Sequence, residues 1–134
     1  MTIPIEGRTK ENVMVIPQPD GKDLVFISGY IFISFKGGVK APQINRDNVT
    51  FVVGSDRTWD SVDNVVPSVT LASIFNDGPA DYAGWAVDDT TWNTTTPGEL
   101  GKQLLLKSNL ALRDSDGFIR RLSYHVTALG KLAS

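Results

Sequence analysis

Apolar and polar residues alternate with period two along much of the chain, the pattern of half-buried β-strands. The alternation is cleanest over 102–113, where Leu104, Leu106, Ser108, Leu110 and Leu112 share one face and Gln103, Leu105, Lys107, Asn109 and Arg113 the other. Residues 118–130 repeat it, with Phe118, Leu122, Tyr124, Val126 and Ala128 against Arg121, Ser123, His125 and Thr127. Between them, Asp114-Ser115-Asp116-Gly117 suits a type I turn with a left-handed glycine in a G1 bulge. These features predict a long C-terminal hairpin at 102–130 that sets Arg113 against Ile119, Leu110 against Leu122, Leu106 against Val126 and Leu104 against Ala128. A slip by one residue would oppose Leu110 to Arg121 and Leu106 to His125, so turn and pattern select the same register. Thr96-Pro97-Gly98-Glu99 spells a helix start, compatible with a single helical turn before the strand.

Near the N-terminus, Val13-Met14-Val15-Ile16 precedes Pro17-Gln18-Pro19-Asp20-Gly21, turn chemistry that predicts a second hairpin joining 12–17 to 23 onward. Residues 24–36 are apolar on both faces, with Val25, Ile27, Ile31, Ile33 and Phe35 against Leu24, Phe26, Tyr30 and Phe32. Such a strand predicts a second covering layer. Ser28-Gly29 at its middle predicts a bulge or bend that hands it from one sheet to the other. Further strands are predicted at 49–54, 65–75 and 83–88. Residues 1–11, with Pro4 and Gly7, read as an extended N-terminal arm. The expectation is one all-β domain over 1–134: an antiparallel β-sandwich, jelly-roll-like, of seven or eight strands, with a closed barrel as second choice. This architecture resembles lectin-like and virion-like sandwiches without any residue correspondence.

Composition supports sheet. Thirteen Val, nine Ile and eleven Thr make about a quarter of the chain β-branched, and twelve Asp against three Glu favour turns over helices. The chain has no Cys and one His, which excludes disulfides, thiolate catalysis and a cysteine or multi-histidine metal site within one chain. A net charge of −2 exerts no global pull toward nucleic acid. Arg120-Arg121 is the only adjacent basic pair, and regular alternation sends its members to opposite faces. No apolar run approaches the ~18 residues of a membrane span. The start, Met-Thr-Ile-Pro-Ile-Glu-Gly, lacks the basic and apolar regions of a secretory signal. The expected setting is therefore cytoplasmic or virion/assembly-associated, without membrane insertion.

Charge is distributed unevenly. Residues 55–93 hold all three Trp and seven Asp against the single Arg57, a net of −6, while the remainder carries +4. Aromatic platforms beside carboxylates suit sugars, whose apolar CH faces stack on rings and whose hydroxyls donate to oxygen acceptors. The candidate glycan-binding residues are Trp59, Asp60, Asp81, Tyr82, Asp88 and Trp92. Asp77, Asp81, Asp88 and Asp89 are weak candidates for Ca²⁺, which takes six to eight oxygen ligands, although their spacing matches no calcium loop. The plainer alternative gives the Asp residues turn and solubility roles, and places Trp85 in the core.

Catalysis finds little support. There is no Gly-x-Ser-x-Gly elbow and no phosphate loop, and His125 falls within regular sheet opposite Lys107 as a solvated or interface residue. The expectation is a non-catalytic binding protein. The alternative to a lectin-like role is a homo-oligomeric structural subunit of a virion, phage tail or surface appendage. It would associate through the N-terminal arm and the outward hairpin face, with Leu105, Ile119 and His125 as contacts.

Overall fold

The computed structural model describes residues 2–36, 43–54, 57–75, 84–95, 101–113 and 118–133. These form strands β1 (Gly7–Arg8), β2 (Asn12–Pro17), β3 (Asp23–Lys36), β4 (Asn45–Val53), β5 (Trp59–Phe75), β6 (Gly84–Thr94), β7 (Leu104–Arg113) and β8 (Phe118–Leu132). No helix occurs among the described residues. The strands make two antiparallel sheets and no closed barrel. One is five-stranded, in the order β1-β3-β8-β5 with β2 also on β3, and the other is three-stranded, in the order β4-β7-β6.

The alternating residues explain the core. From the five-stranded sheet, Val25, Ile27, Ile31 and Ile33 of β3 and Leu122, Tyr124, Val126 and Ala128 of β8 turn inward. From the three-stranded sheet, Val49, Phe51 and Val53 of β4 and Leu104, Leu106, Leu110 and Leu112 of β7 meet them in one continuous cluster. Ser108 is the buried polar side chain of the β7 row, and its hydroxyl is satisfied by Thr90 Oγ1 at 2.8 Å.

The predicted hairpin between 102 and 130 does not form. β7 pairs with β4 and β6, whereas β8 pairs with β3 and β5, so the two strands lie in different sheets. Their inward faces are as expected, except that Phe118 turns outward and Ile119 inward at the start of β8. Leu110 and Leu122, however, sit on opposite walls of the core rather than side by side. Alternation determines which face a strand buries and says nothing about whether its successor pairs beside it or packs across from it. The turn at 114–117 and the helical start at 96–99 lie outside the described residues.

The second hairpin does form. β2 pairs with β3 from Asn12↔Ser28 to Pro17↔Asp23, around a turn in which Gly21 has φ 85°. Gln18 N–H donates to Lys22 O at 2.8 Å and Lys22 N–H to Asp20 Oδ1 at 3.0 Å. β3, however, is not handed between sheets at Ser28-Gly29. It pairs with β8 from Asp23↔Gly130 to Lys36↔Phe118, with one register shift between Phe32 and Phe35. Gly29 serves another purpose: it faces Tyr124, whose hydroxyl would lie 2.7 Å from any Cβ there. The outer residues Phe26 and Tyr30 are exposed, so no second layer covers that side of β3 among the described residues.

The N-terminal segment is not a free arm reaching for a neighbour. Ile3 N–H donates to Asn48 O at 2.7 Å, Glu6 N–H donates to Phe32 O at 2.8 Å, and Gly7 and Arg8 pair with Phe32 and Ile31. The segment thereby ties β4 of one sheet to β3 of the other, with the Ile3 side chain buried in the core. Ile3→Ala is expected to cost about 2 kcal/mol, the lower end for truncating a buried aliphatic side chain. A drop in the urea midpoint at unchanged m-value would register it; an unchanged midpoint would mean that the segment is not part of the folded unit.

Candidate functional site

Among the described residues, the candidates of the acidic, tryptophan-rich segment do not converge. Trp59 is 3% exposed and belongs to the core, so it offers no platform to a ligand, and its Nε1 has no hydrogen-bond partner among the described residues. Asp60, its neighbour on β5, is exposed. Trp92 lies opposite Leu106 and Trp85 opposite Leu112, so both tryptophans are on the inner side of the three-stranded sheet. Both are nevertheless exposed, Trp85 by 49% and Trp92 by 38%, because β6 is the sheet's edge strand. Trp85 is thus not the core residue its alternation suggests. Asp77, Asp81 and Tyr82 lie outside the described residues.

The two aspartates of β6 are engaged on the opposite side of the sheet. Asp88 stands at a register shift between Val87 and Asp89 and pairs with Arg46 of β4. Asp89 Oδ1 accepts from Asn109 Nδ2 at 2.6 Å. Arg46, Asn48 and Asn109, which carry no signal in the sequence, complete this polar hollow of three adjacent strands. Trp92 lies four positions beyond Asp88, roughly 13 Å of extended strand, and faces the other way. Among the described residues no three acidic or imidazole groups come together as a metal site.

The interface candidates also separate. Leu105 lies half-buried between Val52 and Asn93 on the outer face of the three-stranded sheet. Ile119 is fully buried against the core and is not a surface contact. His125 is exposed on the outer face of the five-stranded sheet, flanked by Ser28 and Ser68 rather than by Lys107. Its imidazole has no hydrogen-bond partner among the described residues, so no serine–histidine pair is assembled there.

That outer face carries the arrangement least expected from sequence. Registers across β2, β3, β8 and β5 align Met14, Phe26, Thr127 and Val66 in one row, and Ile16, Leu24, Leu129 and Asn64 in the next. Met14 is 60% and Val66 62% exposed, and Ile16 and Phe26 are exposed beside them. A polar rim bounds the rows. Lys22 Nζ meets Asp63 Oδ2 at 2.7 Å, a contact that raises the ammonium above its ordinary range, and Lys131 Nζ donates to Gly21 O at 2.9 Å. Beyond the rows come Ser28, His125 and Ser68, then Tyr30, Ser123 and Thr70, where the two hydroxyls of Ser123 and Thr70 lie 2.6 Å apart. The signal in the sequence is the two-sided apolarity of 24–36, which by itself suggests burial on both sides. No protein-family model, curated protein or solved structure matches the chain.

Proposed function

We propose that the protein is a non-catalytic structural subunit: a two-sheet sandwich that associates with a second copy of itself through the outer face of the five-stranded sheet. The observation that carries this reading is the pair of apolar rows crossing β2, β3, β8 and β5. Large exposed hydrophobic residues scattered singly need no explanation, but four in two adjacent rows form a patch. Four strands over the six residues of β2 present on the order of 400 Å². A patch of that size is what marks an interaction site on a protein surface, and the polar residues around the rows would supply the remainder of the contact with a second copy. The apolar centre with a Lys22, Asp63 and Lys131 rim also matches the anatomy of an interface.

Among the described candidates for a glycan site on residues 55–93, Trp59 is interior while Asp88 and Trp92 point to opposite faces, which favours the assembly reading. Light scattering after gel filtration tests the assembly reading. The wild-type mass is expected at twice the single-chain value or more, and Phe26→Asp and Val66→Asp should each return it to one chain with unchanged circular dichroism. A wild type that stays monomeric at high concentration, or a Phe26→Asp variant that keeps the assembled mass, would overturn the proposal.

A further inference from the structure

We propose that a groove at the other end of the same outer face binds a saccharide bearing a carboxylate group. The groove exists because the regular alternation of β8 breaks. Register shifts fall between Phe32 and Phe35 on one neighbour, and between Leu71, Ser73 and Ile74 on the other. Ile119 consequently turns into the core beside Phe35, and Arg120 and Arg121 both line one hollow of roughly 550 Å³ instead of parting to opposite faces.

Each guanidinium is held over an aromatic ring. Arg121 Cζ lies 5.3 Å from the Tyr30 ring centroid and 6.0 Å from that of Phe32, and Arg120 Cζ lies 5.7 Å from that of Phe118. Stacking covers one face of the plane and leaves the in-plane N–H donors free, the edge that grips a carboxylate with two parallel hydrogen bonds. Among the described residues neither arginine is in an ion pair. Around them, Ser73 supplies a hydroxyl, and Ser34 Oγ donates to Glu6 Oε2 at 3.2 Å.

This set sorts ligand chemistry. Two unpaired guanidiniums call for an anion, the Phe32 and Phe118 rings for an apolar face, and the Glu6 carboxylate with two serines for hydroxyl partners. A sugar acid offers all three on one ring. A nucleic-acid strand fits less well, since it offers the anion without the ring hydroxyls that Glu6 and the two serines would meet, and a chain of net charge −2 exerts no general pull on its phosphates. The groove begins about six residues along β3 from Phe26, roughly 20 Å, so it stays open when the apolar rows are covered.

Calorimetric titration of the full chain at low salt tests the assignment, with trigalacturonate, neutral galactotriose and an eight-nucleotide oligothymidylate as probes. Trigalacturonate is expected to bind and galactotriose to bind at least about tenfold more weakly, the scale of a charged hydrogen-bond pair. Arg120→Gln and Arg121→Gln should each weaken trigalacturonate about tenfold, with Lys107→Gln on the other sheet leaving it unchanged. Thermal unfolding of each variant verifies that these surface changes keep the fold. No heat with millimolar trigalacturonate, equal binding of galactotriose, tighter binding of the oligothymidylate, or full affinity in folded arginine variants would each overturn it. Loss of assembly in Phe26→Asp leaves this titration unaffected, so the two proposals fail separately.

Discussion

Gly130→Ala is expected to destabilise the protein by about 4 kcal/mol or more, and Gly130→Val to leave it largely unfolded at room temperature. A Cβ at this position would come within 2.3 Å of Ser61 O, 2.9 Å of Val62 Cα and 3.1 Å of Trp59 Cζ3. Overpacking against the far end of a flexible side chain is relieved by a rotamer change; here the first two obstacles are backbone of the neighbouring strand. β5 is already irregular at this point, with register shifts between Trp59 and Ser61 and between Val62 and Asn64, so the strand bends in against β8 where β8 has no side chain. Relief would require separating the two strands. Gly21→Ala is the control: a Cβ there would meet nothing within 4 Å, and the cost is the left-handed φ of 85° alone, about 1–2 kcal/mol. Urea unfolding of both variants checks the ranking, and a Gly130→Ala midpoint at or above that of Gly21→Ala would contradict the argument.

The same contact explains why Trp59 resembles a ligand platform in the sequence and is none in the fold. It follows the turn-rich spelling Asp56-Arg57-Thr58, and nothing nearby in the chain reports that a distant glycine, Gly130, opens space for an indole. Local chemistry is legible: the Pro17-to-Gly21 turn, the β-rich composition, and the inward faces of β7 and of β8 from Leu122 onward are all where the pattern places them. Partnership is not. Leu110 and Leu122 carry the same message whether their strands are neighbours or face each other across a core, and tertiary packing chose the second. Exposure is not legible either, because Trp85, on the inward alternation, and Trp92, brought to the same side by the register shift between Val87 and Asp89, both stay open at a sheet edge. A bulge is the third blind spot. One irregularity in β8 exchanges the expected positions of Ile119 and Arg120, removing an interface candidate and creating the arginine groove. Period-two arguments hold only between such breaks.

Tyr124→Phe is expected to cost about 2–3 kcal/mol and to remove much of the protein's sensitivity to alkali. The Tyr124 side chain is fully buried, and its hydroxyl donates to Glu11 Oε2 at 2.7 Å while accepting from Arg8 Nη2 at 3.0 Å. The same carboxylate oxygen accepts from Gly54 N–H at 2.9 Å and meets Arg8 Nη2 at 3.3 Å. One oxygen thus joins the N-terminal segment, the end of β4 and the centre of β8, and so both sheets. Phenylalanine would keep the ring packing against Phe51, whose centroid is 5.2 Å away, but would leave a nearly buried carboxylate short of a donor. Burial pushes the Tyr124 phenol up to about 12; the Arg8 hydrogen bond works against this shift and the Glu11 carboxylate adds to it. The folded state therefore holds the phenolic proton more tightly than the unfolded chain, whose tyrosine titrates near 10.0. That contribution is complete below pH 10 and is lost as pH rises from 10 to about 12, because only the unfolded state gains by releasing the proton. Unfolding midpoints measured across this window should fall more steeply for the wild type than for Tyr124→Phe, the two curves drawing together toward pH 12. Parallel curves would mean that the hydroxyl is not held in this buried hydrogen-bonded state, and that the N-terminal segment is anchored by Ile3 and backbone pairing alone.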